Sequence, residues 1–154
     1  MSDVDVRLSQ LGITIPHRSP APKGVYAPAV ISGNYVYTSG QLPLVDGALA
    51  HTGKVGAEVS PEIAAECAKI SALNALSAVG EVLGSLDRVT RVVKVVGFVA
   101  SDPSFTAQPG VIDGASQLLA SLFGDAGIHA RSAVGVAVLP LNSPVEVELI
   151  VEYI

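Results

Sequence analysis

Arg131 is the only lysine or arginine after Lys94, in a stretch whose acids are Asp102, Asp113, Asp125, Glu146, Glu148 and Glu152. A guanidinium keeps its charge at any physiological pH and is costly to bury alone, so Arg131 needs a carboxylate, from the protein or from a ligand. A ligand is the expectation, with a structural ion pair to Glu146 or Glu148 across adjacent strands as the alternative. Ser39 and Gly40 at the end of an apolar run and Tyr26 ahead of it complete the polar candidates. His17, His51 and His129 lie far apart and Cys67 falls on an apolar helical face, so no metal site is expected. Neither a GxGxxG nor a Walker loop occurs, and Thr38-Ser39-Gly40 is not a GxSxG elbow. That pattern predicts no cofactor and no triad hydrolase.

The elements that must position these residues are legible from periodicity. Tyr26–Ile31 and Tyr35–Ser39, joined by Ser32-Gly-Asn34, read as a hairpin, and Asp46-Gly47 reads as a turn. Ser60-Pro61-Glu62 is a helix start, and Ile63, Cys67, Ile70, Leu73, Leu76, Val79 and Leu83 follow at helical spacing, which predicts a long helix from Ser60 to Leu83. Val89–Ala100 reads as a strand buried on both faces, and a second helix is expected after Pro109. Arg131 opens an apolar run to Pro140 that reads as a buried strand, and in Val145–Ile154 acids alternate with Val145, Val147, Leu149 and Val151, the period-two pattern of a strand with one core face. The order is β-β-α-β-α-β-β, an α+β fold with a mixed sheet and two helices on one face. Residues 1–25, with Pro16, Pro20 and Pro22, read as an N-terminal extension lying on a single domain of residues 26–154.

Composition narrows the function classes. The chain is 49% hydrophobic and 15% charged, with a mean hydropathy of +0.51, yet no apolar run is long enough to span a membrane. Surplus apolar surface predicts a homo-oligomer. A net charge of −5 with scattered basic residues weighs against nucleic acid as a partner. One cysteine and an N-terminus without the pattern of an export signal give the cytoplasm as the expected location.

Gly24-Val-Tyr26-Ala-Pro, Tyr37-Thr-Ser39-Gly40-Gln41-Leu-Pro43, Ala130-Arg131-Ser132, Leu139-Pro140 and Val145-Glu146-Val147-Glu148 together resemble the YjgF/YER057c/UK114 family, also called the Rid family of enamine/imine deaminases. The resemblance covers about Tyr26 to Ile154. It implies a chorismate-mutase-like fold, a homotrimer with a cleft at each subunit interface, and hydrolysis of reactive 2-imino acids to 2-keto acids and ammonia. It further implies that Arg131 clamps the substrate carboxylate, that Glu146 positions water, and that Tyr26, Ser39 and Gly40 line the cleft, with Asp113 near it as a substrate-binding candidate. Endoribonuclease activity, also associated with the family, and non-enzymatic binding of small carboxylates are the alternatives. The chain departs from the common pattern in its extension, in Asp113 where many members carry asparagine, and in Ala133 where a cysteine is frequent.

Overall fold

The computed structural model describes residues 2–154. Five strands form one sheet in the order β1-β2-β7-β5-β6: β1 (Ala29–Ser32), β2 (Tyr35–Thr38), β5 (Val89–Ala100), β6 (Ala130–Val136) and β7 (Val145–Tyr153). All neighbours are antiparallel except β5 and β6, whose parallel pairing is made by the crossover through α3 (Gln108–Phe123). The other large helix, α2 (Pro61–Leu83), joins the β1-β2 hairpin to β5, and α2 and α3 pack against each other over the sheet. The β-β-α-β-α-β-β order and α+β class expected from the sequence are therefore present.

Local chemistry explains the elements. Ser60 Oγ accepts the Ile63 amide at 3.2 Å, Pro61 occupies the first turn, and Gly84 ends α2 in the left-handed region at φ 81°. The buried face of α2 is mostly alanine, with Ala64, Ala68, Ala72 and Ala75 fully buried, which lets the helix lie close to its neighbours. On α3, Gly114 meets α2 so closely that a Cβ there would fall 3.1 Å from Ala65 Cα. Alternation along β7 places Val145, Val147, Leu149 and Val151 in the core and Glu146, Glu148 and Glu152 on the opposite face.

Three differences from the sequence-based expectation have physical reasons. The extension contains a helix, α1 (Asp3–Leu11), started by a reciprocal Ser2/Asp5 capping box and docked by Arg7, whose Nη1 donates to Leu122 O at 2.7 Å, and by the buried Val4. A small hairpin of β3 (Leu44–Val45) and β4 (Ala48–Leu49) forms around Asp46-Gly47, both at positive φ. Neither β6 nor β5 is buried as expected: β6 is an edge strand with no buried residue, and β5 alternates between a core face and a partly exposed one. Their apolar content belongs in part to a sheet face that this chain does not cover itself, where Val30, Tyr37 and Val134 are exposed. No helix among the described residues is long and apolar enough to cross a membrane.

Candidate active site

Glu146 lies at the mouth of β7 on the sheet face turned away from the helices. Together with Tyr26, Gly40, Gln41, Pro140, Leu141 and the Pro20–Lys23 strap it lines a cleft of about 200 Å³. Burial pushes the Glu146 carboxyl above the usual carboxylate range, and the neighbouring Glu148 charge adds to the rise. Gly40 is packed directly against this carboxyl: a Cβ there would overlap Glu146 Oε1 and fall 2.7 Å from its Cδ. The Ser39–Leu44 loop is held from three sides. Gln41 exchanges backbone bonds with Val147 at 2.8 and 3.0 Å, Thr38 Oγ1 accepts the Leu149 amide, and the buried Asn74 of α2 donates to both Leu42 O and Leu44 O at 3.0 Å. Ser39 donates its hydroxyl to Ala27 O at 2.6 Å, tying the Tyr26-Ala27-Pro28 segment to the strand end. Tyr26 itself stays exposed, with its hydroxyl accepting the Lys23 amide at 3.3 Å.

Arg131 occupies a different place. Its Nη1 donates to Asp113 Oδ1 at 2.7 Å and to Ser116 Oγ at 3.1 Å, both on α3. The carboxylate that Arg131 meets within the chain is thus Asp113, and neither Glu146 nor Glu148. Ser116 Oγ is also 2.9 Å from His129 Nε2, while His129 Nδ1 is 2.7 Å from Gly127 O. A carbonyl only accepts, so Nδ1 donates to Gly127 O and Ser116 Oγ shares its hydrogen bond with Nε2. Arg131, Ser116, His129, Gln117, Ala120 and Ile128 line an open depression of about 330 Å³.

Register puts these two groups on opposite faces of the sheet. Arg131 is level with Val95, which is level with the buried Leu149, whereas Glu146 is level with Phe98, three positions further along β5. Residues in register share a face and odd offsets reverse it, so Arg131 faces the helices and Glu146 faces away. Tyr26, Gly40 and Glu146 are brought together in one cleft, with Ser39 outside its lining and bonded to Ala27 O, and Arg131 meets Asp113 elsewhere, but the two sets do not meet. Among the described residues no cluster of three or more His, Cys, Asp or Glu could hold a metal ion. Cys67 is buried, with its thiol pushed up to about 11 by burial and by Glu66, the state of a core side chain.

A family model described as "YjgF/chorismate_mutase-like, putative endoribonuclease" matches residues 5–153. The chain belongs to the YjgF family. A curated relative, "Protein TCP17" of Trypanosoma cruzi, is 45% identical over 150 residues, covering 97% of this chain and 93% of its own. Among solved structures, a "putative endoribonuclease" from Shewanella oneidensis MR-1 is 33% identical with a TM-score of 0.93, covering 97% of this chain and 98% of that one. RidA from the Antarctic bacterium Psychrobacter sp. PAMC 21119 is 30% identical with a TM-score of 0.60, covering 90% and 95% respectively. The Shewanella match leaves little room for the N-terminal segment to be missing from it, so that part of the YjgF chain is shared with at least one relative.

Sequence reasoning passed over four residues at these two places. Asn74 carried a signal, the one amide side chain in α2, with Ile70 and Ala78 four residues either side. So did His129, two residues before Arg131 and immediately ahead of its strand. Ser116 and Lys23 carried none, because their roles depend on how α3 and the strap dock.

Proposed function

We propose that this member of the YjgF family hydrolyses small 2-imino acids to 2-keto acids and ammonia in a cleft completed between copies of the chain, most simply a homotrimer. The observation that carries the reading is the pairing of a half-buried Glu146 carboxyl, displaced upward in pKa, with the side-chain-free surface of Gly40. A carboxyl shifted toward neutrality is suited to exchange protons with water and with an amine leaving group. Opposite faces of the sheet hold the Arg131 and Glu146 groups, so a cleft containing both needs the Arg131 surface of one copy against the Glu146 surface of another. The exposed apolar face of the sheet supports such an assembly. The kinship with RidA, by that name, points the same way.

In this scheme the guanidinium of Arg131 holds the carboxylate of the protonated imine by its free N–H groups. Glu146 takes a proton from a water molecule as its oxygen adds to the C=N carbon, giving a carbinolamine. The same carboxyl returns that proton to the nitrogen, the C–N bond breaks, and ammonia leaves while the hydroxyl proton passes to solvent and the 2-keto acid remains. Atoms balance as iminium plus water giving keto acid plus ammonium. An imine is already labile in water, so orientation and proton transfer suffice.

The test generates 2-iminopropanoate and 2-iminobutanoate from alanine and 2-aminobutanoate with an amino-acid oxidase and traps them with semicarbazide. Wild type lowers semicarbazone formation, and Arg131→Ala does not. A folded wild type that leaves the semicarbazone rate unchanged for every small imine refutes the proposal. RNA cleavage that disappears in Glu146→Gln would instead favour the ribonuclease reading, against which the net charge of −5 weighs.

A further inference from the structure

Nη1 of Arg131 has two N–H groups, and both are occupied: one by Asp113 Oδ1 at 2.7 Å, the other by Ser116 Oγ at 3.1 Å. Ser116 is in turn fixed by His129, and His129 by Gly127 O. The guanidinium is therefore anchored at one corner, and the edge formed by Nε and Nη2 has no partner among the described residues. That edge offers two parallel N–H groups, the geometry a carboxylate takes side-on. Asp113 is half exposed and Arg131 is 22% exposed, so the acid's charge is felt at the surface from which a ligand approaches.

We infer that Asp113 determines specificity at this site: it aims the Nε/Nη2 edge of Arg131 at a substrate carboxylate, and its fixed negative charge rejects substrates that carry a second anionic group. The inference rests on Arg131 being the carboxylate clamp of the proposed function. One carboxylate on the free edge together with Asp113 on Nη1 already outnumbers the single cation by two charges to one. A second substrate carboxylate meets an acid already in place, and the depression around Arg131 is lined by no other lysine or arginine of the same copy. The preferred class is thus the 2-imino or 2-keto monocarboxylate with a neutral side chain. Ser116 and His129 are positioning residues in this device, acting through Arg131 without adding charge selection while the His129 ring is neutral.

The test compares binding of 2-oxobutanoate and 2-oxoglutarate to the assembled wild type, Asp113→Asn and Ser116→Ala by calorimetry, beside turnover of the matching imines. Asparagine keeps an oxygen for Nη1 and removes the charge. Wild type is expected to bind the monocarboxylate about tenfold more tightly than the dicarboxylate, and Asp113→Asn to bring that ratio close to one. Ser116→Ala is expected to weaken both ligands by the same factor and leave the ratio unchanged. A ratio that is the same in wild type and Asp113→Asn overturns the inference, as does a wild type that shows no preference or binds neither ligand. A changed ratio in Ser116→Ala also overturns it, by moving selection from charge to guanidinium geometry. If Asp113→Asn does not fold, Asp113→Ser supports the same comparison. Discrimination that Asp113→Asn abolishes, in a protein without imine turnover, retains this inference and rejects the deaminase reading.

Discussion

The Glu146 and Arg131 regions are built in opposite ways. Glu146 sits where backbone does the positioning: Gln41, Thr38 and Asn74 fix a loop, and Gly40 gives the carboxyl room. Arg131 sits on an exposed edge strand, and side chains do the positioning there, through a line from Gly127 O to His129, Ser116 and Arg131, with Asp113 alongside. A group that exchanges protons gains from a partly desolvated setting that shifts its pKa, whereas a clamp that must stay charged gains from solvent and a counter-charge. The comparison predicts that substitutions in the first region act on turnover and those in the second on affinity.

The largest effects come from the two principal residues. Glu146→Gln is expected to lower kcat by about 10²–10⁴-fold with KM little changed, the range for removing a general acid-base group. Arg131→Ala is expected to weaken carboxylate binding by about 2–5 kcal/mol, read as a rise in KM, with little change in melting temperature because Asp113 is left half exposed. Equal losses in kcat and KM for both variants would erase the division.

The raised pKa of Glu146 gives a pH signature. The folded protein holds this proton more tightly than the unfolded chain, so between the two pKa values the native state binds more protons and stability falls as pH rises. The contribution is complete below the unfolded carboxylate pKa and is lost through the folded one. In denaturant titrations Glu146→Gln should flatten that fall. Activity that needs the ionised carboxylate should decline on the acid side at a pH above the ordinary glutamate range. An acid limb at the ordinary value would show that the assembled cleft resolvates the group.

Gly40→Ala should act through the same carboxyl. The new Cβ cannot coexist with the present Glu146 rotamer, but a side chain can rotate away, so the expected loss is about tenfold in kcat with the fold intact. Unchanged kcat would mean that this rotamer is not the working one.

How legible these regions were follows from the same contrast. The order of the main elements along the chain, α2, α3 and the Asp46-Gly47 turn were readable because local periodicity and capping chemistry agree with the packing they serve. Helix α1 was not legible, although its Ser2-x-x-Asp5 cap is in the sequence, because a nine-residue helix is marginal alone and is fixed by docking through Val4 and Arg7. The burial of β6 was misjudged because an apolar edge strand has the composition of an internal one, and only topology separates them. Likewise the opposite facing of Arg131 and Glu146 depends on a register across three strands, which composition does not encode.

The smallest expected effects test whether the N-terminal strap belongs to the Glu146 region. Ser77 on α2 donates to Pro16 O at 2.7 Å, and Glu81 accepts the Ser19 amide, so two contacts from one helix hold the strap whose Pro20–Lys23 segment walls the cleft. Ser77→Ala removes the hydroxyl of a buried residue and leaves Pro16 O to find water, at a cost of about 1 kcal/mol. For a chain of this length that is about 2–4 °C in melting temperature. If the strap is a wall of the cleft, KM should rise a few-fold with this loss while Asp113-dependent ligand discrimination stays as in wild type. A melting shift with no change in KM would make the strap a covering for α2 alone, and would leave the Glu146 cleft defined by Tyr26, Gly40 and the Pro140-Leu141 turn.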